Sequence, residues 1–139
     1  MLSHLVTLSA CETGMTEFRT MPDEFVGLPG ALIEAGAPAV ISSLWPVDDV
    51  STRFLFTELY RLHLGGMSIA AALQGAVRWV SEATAGDLGL AAVYQRKYAA
   101  SGSMDEVALR SWRYYEANPQ VRPFAHPFYW AAFTVTGAA

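Results

Sequence analysis

The sequence predicts an α/β fold, in which short apolar strands alternate with amphipathic helices. Two strand-like segments, Leu5–Ala10 and Pro38–Leu44, are separated by a helical segment that ends near Ala35. A strand, a helix and a strand joined by short links form a parallel pair with a right-handed crossover. The chain has 139 residues, of which 53% are apolar and 16% charged, so it is one domain or part of one, with enough apolar residues for a core.

The first helical segment has two candidate starts. Asp23 and Glu24 could begin it, or Pro29 could occupy its first turn with Gly27 outside the helix. The strand that follows (PAVISSL) is apolar on both faces, as expected of a strand that is covered on both sides.

Two longer helices are predicted after the second strand. Asp48 or Asp49 can cap the first of them, and Gly65-Gly66 ends it. Ser68 caps the second, in which apolar residues recur every three or four positions from Ile69 to Val80. The buried stripe of the first helix is predicted by its spacing to consist of Leu55, Leu59 and Leu62.

The stretch from 84 to 123 is less regular and predicts two short helices, separated by a break at Ser101-Gly102-Ser103. The second of these helices stops near Asn118-Pro119, and a last strand is predicted over Tyr129–Thr136. Aromatic residues in this stretch indicate packing rather than cofactor contacts. The apolar face of the second short helix is predicted to consist of Met104, Val107, Ala108, Trp112 and Tyr115.

Composition excludes several classes of function. The net charge is −4 and Lys97 is the only lysine, so no basic stripe is present and we expect no nucleic-acid partner. No apolar run reaches the ~20 residues that cross a bilayer, and no signal peptide is apparent, so we expect no membrane partner and a cytoplasmic location. No zinc-type spacing and no phosphate-binding glycine loop occurs, so no metal or other cofactor is expected.

The single cysteine, Cys11, lies at the end of the first predicted strand, within Ser9–Gly14 (SACETG). In open α/β sheets, ligands and reacting groups gather where strands end. Backbone N–H groups near such a position favour the thiolate form of a cysteine. A lone cysteine is also often a small buried apolar residue, so its position alone leaves both roles open.

A nucleophilic thiolate needs a histidine within hydrogen-bond reach. His4 lies at the opposite end of the strand, about 23 Å from Cys11 at ~3.3 Å per residue. His63 is expected in the last turn of a helix, where the helix dipole stabilises a positively charged imidazolium. His126, which precedes Pro127, is the only histidine whose placement the sequence leaves open.

Three ordered motifs resemble the C-terminal part of a CHAT domain, a family of caspase-like cysteine peptidase domains often attached to tetratricopeptide repeats in bacteria. They are LVTLSACETG, GALIEAGAPAVISSLWPVDD and HPFYWAAFTVTG, and the resemblance runs from Leu5 to Gly137. It implies a truncated caspase-like three-layer α/β sandwich. In that fold a small, mostly parallel sheet has helices on both faces, and its last strand lies antiparallel beside the second.

The resemblance implies that Cys11 is the nucleophile and that backbone N–H groups of Cys11, Thr13 and Gly14 contribute to an oxyanion hole. The general base of the family is a histidine in a glycine-containing loop before the cysteine motif. The chain begins ten residues before Cys11, and His4 does not match that histidine. The resemblance therefore implies a cysteine endopeptidase whose upstream, histidine-bearing half is absent from residues 1–139, because the chain is a fragment or because another polypeptide supplies that half.

Substrate-binding residues are implied by a similar Leu-Trp and acidic segment in separases. Asp48 and Asp49 would either accept a basic P1 side chain or only cap the helix. Trp45 would either form a wall of the substrate pocket or only pack against its neighbours. Because parallel neighbours end at the same edge of a sheet, these residues and Cys11 are predicted to share one rim. His126 would begin on that rim too, but two strand spacings of ~4.8 Å place it about 10 Å or more from Cys11.

The expected partners are a protein or peptide substrate, and the missing N-terminal half or a tetratricopeptide-repeat region. Leu5–Ala10 would be central in a whole domain and becomes an exposed apolar edge without the missing half, so self-association is also expected. The alternative is a caspase-like interaction or regulatory module that keeps the fold without catalysis.

Overall fold

The computed structural model describes residues 5–8 and 29–137, and in these ranges it confirms the α/β class. The strands there are β1 (Val6–Leu8), β2 (Ala39–Ser43) and β3 (Phe133–Gly137). A helix α1, described over 29–34, precedes β2. The later helices are α2 (Asp49–Leu64), α3 (Ile69–Glu82), α4 (Ala85–Leu88), α5 (Leu90–Ala100) and α6 (Glu106–Ala117).

The strand order is β1-β2-β3, as predicted. β1 runs parallel to β2, with Leu8 opposite Ser42. β3 runs antiparallel to β2, with Phe133 opposite Ser43. Both the parallel pair and the antiparallel last strand are therefore confirmed.

The central strand β2 is buried along its whole length. Alternate residues of a strand point to opposite faces of the sheet. Ile41 packs in the main core with Leu55 and Leu59 of α2, whereas Val40, also completely buried, lies outside that cluster. Burial on both faces explains why the first three residues of β2, Ala39, Val40 and Ile41, are all apolar without alternation.

Helices α2 and α3 form the main layer against the sheet. The predicted end of α2 at Gly65 and the predicted cap of α3 at Ser68 are both confirmed. Gly75 of α3 lies against Leu62, and a Cβ atom at that glycine would be 2.8 Å from Leu62 Cδ1. Because glycine has no side chain, α2 and α3 can approach each other closely at Gly75.

The two predicted short helices are also present, as α5 and α6 separated by the turn at Ser101-Gly102-Ser103. Tyr94 stacks on Tyr115 between the two helices, with ring centroids 5.7 Å apart. The predicted apolar face of α6 was partly wrong, because Met104 and Val107 are 84% and 71% exposed. Met104 precedes the helix, whereas Ala108 is buried and Tyr115 is stacked on Tyr94, as the predicted face requires.

The predicted start of the last strand was also wrong. The strand was expected from Tyr129, but Pro127–Tyr129 forms a 3₁₀ turn and β3 begins at Phe133. The backbone N–H groups of Trp130 and Ala131 both donate to the Pro127 carbonyl oxygen, at 3.2 and 2.8 Å. These donors are turned back into the chain, so they cannot pair with β2.

Candidate active site

All three strands have an end at one edge of the sheet. Parallel β1 and β2 end side by side, and β3 starts at the same edge, because Phe133 lies opposite Ser43. Residues 44–48 therefore leave β2 where the segment that leads into β3 arrives. We call this the C-terminal edge. Edges of this kind are where α/β proteins bind ligands.

Part of the predicted site lies outside the described residues. This holds for the nucleophile Cys11, for the oxyanion-hole residues Thr13 and Gly14, and for His4. Cys11 follows the last residue of β1, Leu8, by three positions. Its place at the C-terminal edge stays a prediction.

Trp45 connects the two chain segments at this edge. Its indole Nε1 donates a hydrogen bond to the carbonyl oxygen of Phe128, at 3.1 Å. Leu44, its neighbour, donates its N–H to the carbonyl oxygen of Ala132, at 2.8 Å. Packing at the edge is therefore one role of Trp45, and its role as a pocket wall stays a prediction.

Asp48 is the N-cap of α2, one of the two capping residues that the sequence left open. Its Oδ2 accepts the N–H of Ser51 at 2.8 Å, and the Ser51 hydroxyl donates to the Asp48 carbonyl oxygen at 3.2 Å. Asp49 is the first helical residue and is exposed. One carboxylate oxygen of Asp48 is thus engaged, whereas Asp49 faces solvent.

Two tyrosines, Tyr94 and Tyr115, lie close enough to Asp48 at the start of α2 for its charge to affect their pKa values. Burial raises the pKa of Tyr94 to about 12, and the negative charge of Asp48 adds to that rise. Burial also raises the pKa of Tyr115, with Tyr129 as the next largest cause. A nearby carboxylate disfavours a phenolate. The raised pKa values therefore extend the pH range over which these two hydroxyls stay neutral.

Neither histidine of the described ranges is placed as a base for the edge. His63 is in the last turn of α2, about 21 Å from its start at 1.5 Å per residue, and its Nδ1 donates to the Met67 carbonyl oxygen. His126 lies on the segment that leads to the edge. Its Nδ1 accepts the N–H of Phe128 at 3.1 Å, so it caps the 3₁₀ turn.

Residues 5–8 and 29–137 also bear on metal binding and membrane insertion. No group of three or more histidine, cysteine, aspartate or glutamate side chains there could hold a metal ion. No helix of this part of the chain has the length and hydropathy needed to cross a membrane.

One feature beside the C-terminal edge was not predicted from the sequence. A groove of about 480 Å³ lies between the first turns of α2 and helix α5. Its charged lining residues are Asp49 and Arg53 of α2 and Arg96 of α5. The spacing of Asp49 and Arg53 places them on one face of α2, but no local signal brings Arg96, more than forty residues later, to the same groove.

The family model of the CHAT domain matches residues 2–138. The match covers nearly the whole chain, so this protein belongs to the CHAT domain family. No curated protein was found to match the chain, and no solved structure either.

Proposed function

We propose that this chain is the C-terminal portion of a CHAT-type cysteine endopeptidase, with Cys11 as its nucleophile. The observation that carries the proposal is the shared C-terminal edge. β1, which leads towards Cys11, ends beside β2, which leads into Trp45, Asp48 and Asp49. Membership of the CHAT family supports the same assignment.

The proposed chemistry is attack of the Cys11 thiolate on the carbonyl carbon of a peptide bond. Backbone N–H groups of Cys11, Thr13 and Gly14 would stabilise the oxyanion, each donor contributing roughly 3 kcal/mol to the transition state. A histidine would take the thiol proton and pass it to the leaving amine, and water would then release the acyl group. All of these groups would have to meet at the C-terminal edge.

We propose that the histidine comes from a segment outside residues 1–139. His63 is at the far end of α2, and the Nδ1 lone pair of His126 is occupied by the Phe128 N–H. A cysteine without a paired base has a pKa near ~8.5 and is only slightly ionised at pH 7. The isolated chain would therefore show no appreciable proteolysis.

The edge would favour a substrate with a basic P1 residue. Asp48 and Asp49 supply negative charge there, and Asp48 contributes to the raised pKa of the neighbouring Tyr94. Because Asp48 Oδ2 already caps α2, Asp49 is the more available partner for a lysine or arginine side chain. β1 is the outermost strand of the described sheet, and it would pair with the next strand, supplied by the missing half.

The test is a cleavage assay with fluorogenic peptides that carry arginine or lysine at P1. The chain is assayed alone and after addition of an upstream segment that carries the family histidine, with Cys11→Ala and Ser9→Ala as paired variants. We expect cleavage only in the mixture, lost in Cys11→Ala and kept in Ser9→Ala. Cleavage by the Cys11→Ala mixture would refute the nucleophile. Cys11-dependent cleavage by the isolated monomer would refute the need for a second segment.

The second candidate is a non-catalytic interaction or regulatory module. It is favoured by the local, structural use of both described histidines. In that case the added upstream segment would bind the chain, as measured by analytical ultracentrifugation, without any Cys11-dependent cleavage. The same mixture therefore distinguishes the two functions.

A further inference from the structure

The groove between α2 and α5 combines an apolar floor with charged walls. It is lined by side chains of α2, by the α4–α5 corner and by the first turns of α5. Its apolar lining consists of Val50, Phe54, Leu88, Ala92 and Val93. Its volume of about 480 Å³ suits one or two amino-acid side chains rather than a folded domain.

Two arginines line the groove, and they differ in their ion pairing from three other arginines of the chain. Arg61, Arg78 and Arg110 each form an ion pair with a glutamate three or four residues away. Arg53 and Arg96 are exposed, and neither forms an ion pair with any residue that the structure describes. An arginine guanidinium is a planar donor that suits carboxylates, so these two remain available to an acidic ligand.

Asp49 restricts the kind of anion that the groove can accept. It lies one turn before Arg53 on α2 and also lines the groove. An extended polyanion such as nucleic acid would be repelled there and by the net charge of −4. A short ligand with a carboxylate beside an apolar group would bring much less negative charge near Asp49 and could still pair with the arginines and contact the floor.

We propose that this groove binds a short acidic and apolar peptide segment of a partner protein. A glutamate or aspartate of the segment pairs with Arg53 and Arg96, and a neighbouring leucine-type side chain lies on the floor formed by Val50, Phe54 and Val93. The argument rests on charge complementarity and on the shape of the groove. It does not use Cys11, so it stands whether or not the chain takes part in peptide cleavage.

The test uses the full chain and a fluorescein-labelled peptide, Gly-Glu-Leu-Glu-Gly-Gly. Its matched control replaces both glutamates by glutamine. Fluorescence anisotropy is followed up to about 1 mM chain, the weak end of specific affinities. We expect saturable binding of the acidic peptide, weakened by added salt, and at least about fivefold weaker binding of the glutamine peptide.

Four variants locate the binding. Arg53→Gln and Arg96→Gln should each weaken binding about two- to fivefold, the usual effect of an exposed ion pair. Ala92→Phe, on an exposed position of α5, should fill the groove and weaken binding about tenfold or more. Arg113→Gln removes an exposed arginine outside the groove and should leave binding unchanged. Circular dichroism confirms that each variant is folded.

The proposal is overturned by any of three results. Absence of saturable binding by the folded wild-type chain would refute the site. Equal loss in Arg113→Gln and in the groove variants would show unspecific charge attraction. Unchanged binding in folded Ala92→Phe would place the peptide elsewhere on the surface.

Discussion

Trp45 donates its indole N–H to the carbonyl oxygen of Phe128, and this bond joins two segments that are 83 residues apart in sequence. Trp45 follows β2, and Phe128 lies in the 3₁₀ turn before β3. The bond therefore holds the segment that follows β2 against the segment that precedes β3. It does so at the edge where the proposed active site would form.

Trp45→Phe should destabilise the chain by about 1 kcal/mol, because it keeps most of the ring and removes this hydrogen bond. The measurement is urea unfolding, followed by circular dichroism. Trp79→Phe is the matched control. Trp79 is 37% exposed and packs its ring near Phe54, so its replacement should cost less than about 0.5 kcal/mol. Equal losses in the two variants would contradict the role given to the Trp45 bond.

Asp48 and Asp49 should differ in their contribution to stability. Asp48→Ala removes the N-cap bond to Ser51 and should cost about 1 kcal/mol. Asp49→Ala removes only a favourable charge in the first turn and should cost about 0.5 kcal/mol or less. Asp48→Ser, which keeps a capping oxygen, should recover most of the loss in thermal unfolding. Failure of that rescue would argue that the charge of Asp48, rather than its cap, is what matters.

Gly137→Ala should destabilise the end of the sheet by about 2–4 kcal/mol. Gly137 has a φ of +104°, and a Cβ atom there would lie 2.5 Å from the Pro38 carbonyl oxygen. Gly30→Ala is the control, because Gly30 lies in the helical range 29–34 with no atom within 4 Å of a built Cβ. That variant should be neutral or slightly stabilising. Denaturant midpoints compare the two, and a neutral Gly137→Ala would contradict the close contact between β3 and the start of β2.

Stability should fall between about pH 10 and pH 12. The pKa of Tyr94 is raised from 10.0 to about 12 in the folded chain, chiefly by burial and then by Asp48. The unfolded chain therefore loses the Tyr94 proton first as the pH rises, and unfolding becomes more favourable until the folded pKa is reached. Tyr94→Phe should flatten this part of the pH profile, measured by urea unfolding at each pH.

Tyr114→Phe is the control for the alkaline profile, because the Tyr114 side chain is 53% exposed. It should leave the slope between pH 10 and pH 12 nearly unchanged. If both variants flattened the profile equally, the slope would reflect the general ionisation of the chain rather than the half-buried Tyr94 hydroxyl.

Prediction from the sequence was most successful where structure is set by neighbours along the chain. The period of apolar residues identified α2 and α3, and Ser68 and Gly65 set the boundary between them. The sequence order of strand, helix and strand was enough to pair β1 with β2 in parallel. The antiparallel last strand came from the family resemblance, not from any local pattern.

Predictions were weaker where an apolar pattern does not decide which hydrogen bonds or packing contacts form. The apolar run from Tyr129 is strand-like, but its first N–H groups bond back to Pro127 and β3 starts later. Met104 and Val107 fit a helical stripe, yet nothing in the described part of the fold covers them. Of the candidate site, only Trp45, Asp48 and Asp49 could be compared with the structure.

The sequence by itself determined the approximate positions of β1 and β2, the two long helices and the Ser68 cap of α3, because strand and helix periods and capping bonds act within a few residues. It also determined membership of the CHAT family, through motifs spread along the chain. Only the tertiary structure decided that Asp48 rather than Asp49 caps α2, that Trp45 bonds to Phe128, and that Arg53 and Arg96 line the same groove. The two long-range contacts depend on how whole elements pack, and the choice of cap depends on the backbone path out of β2, so no local pattern specifies them.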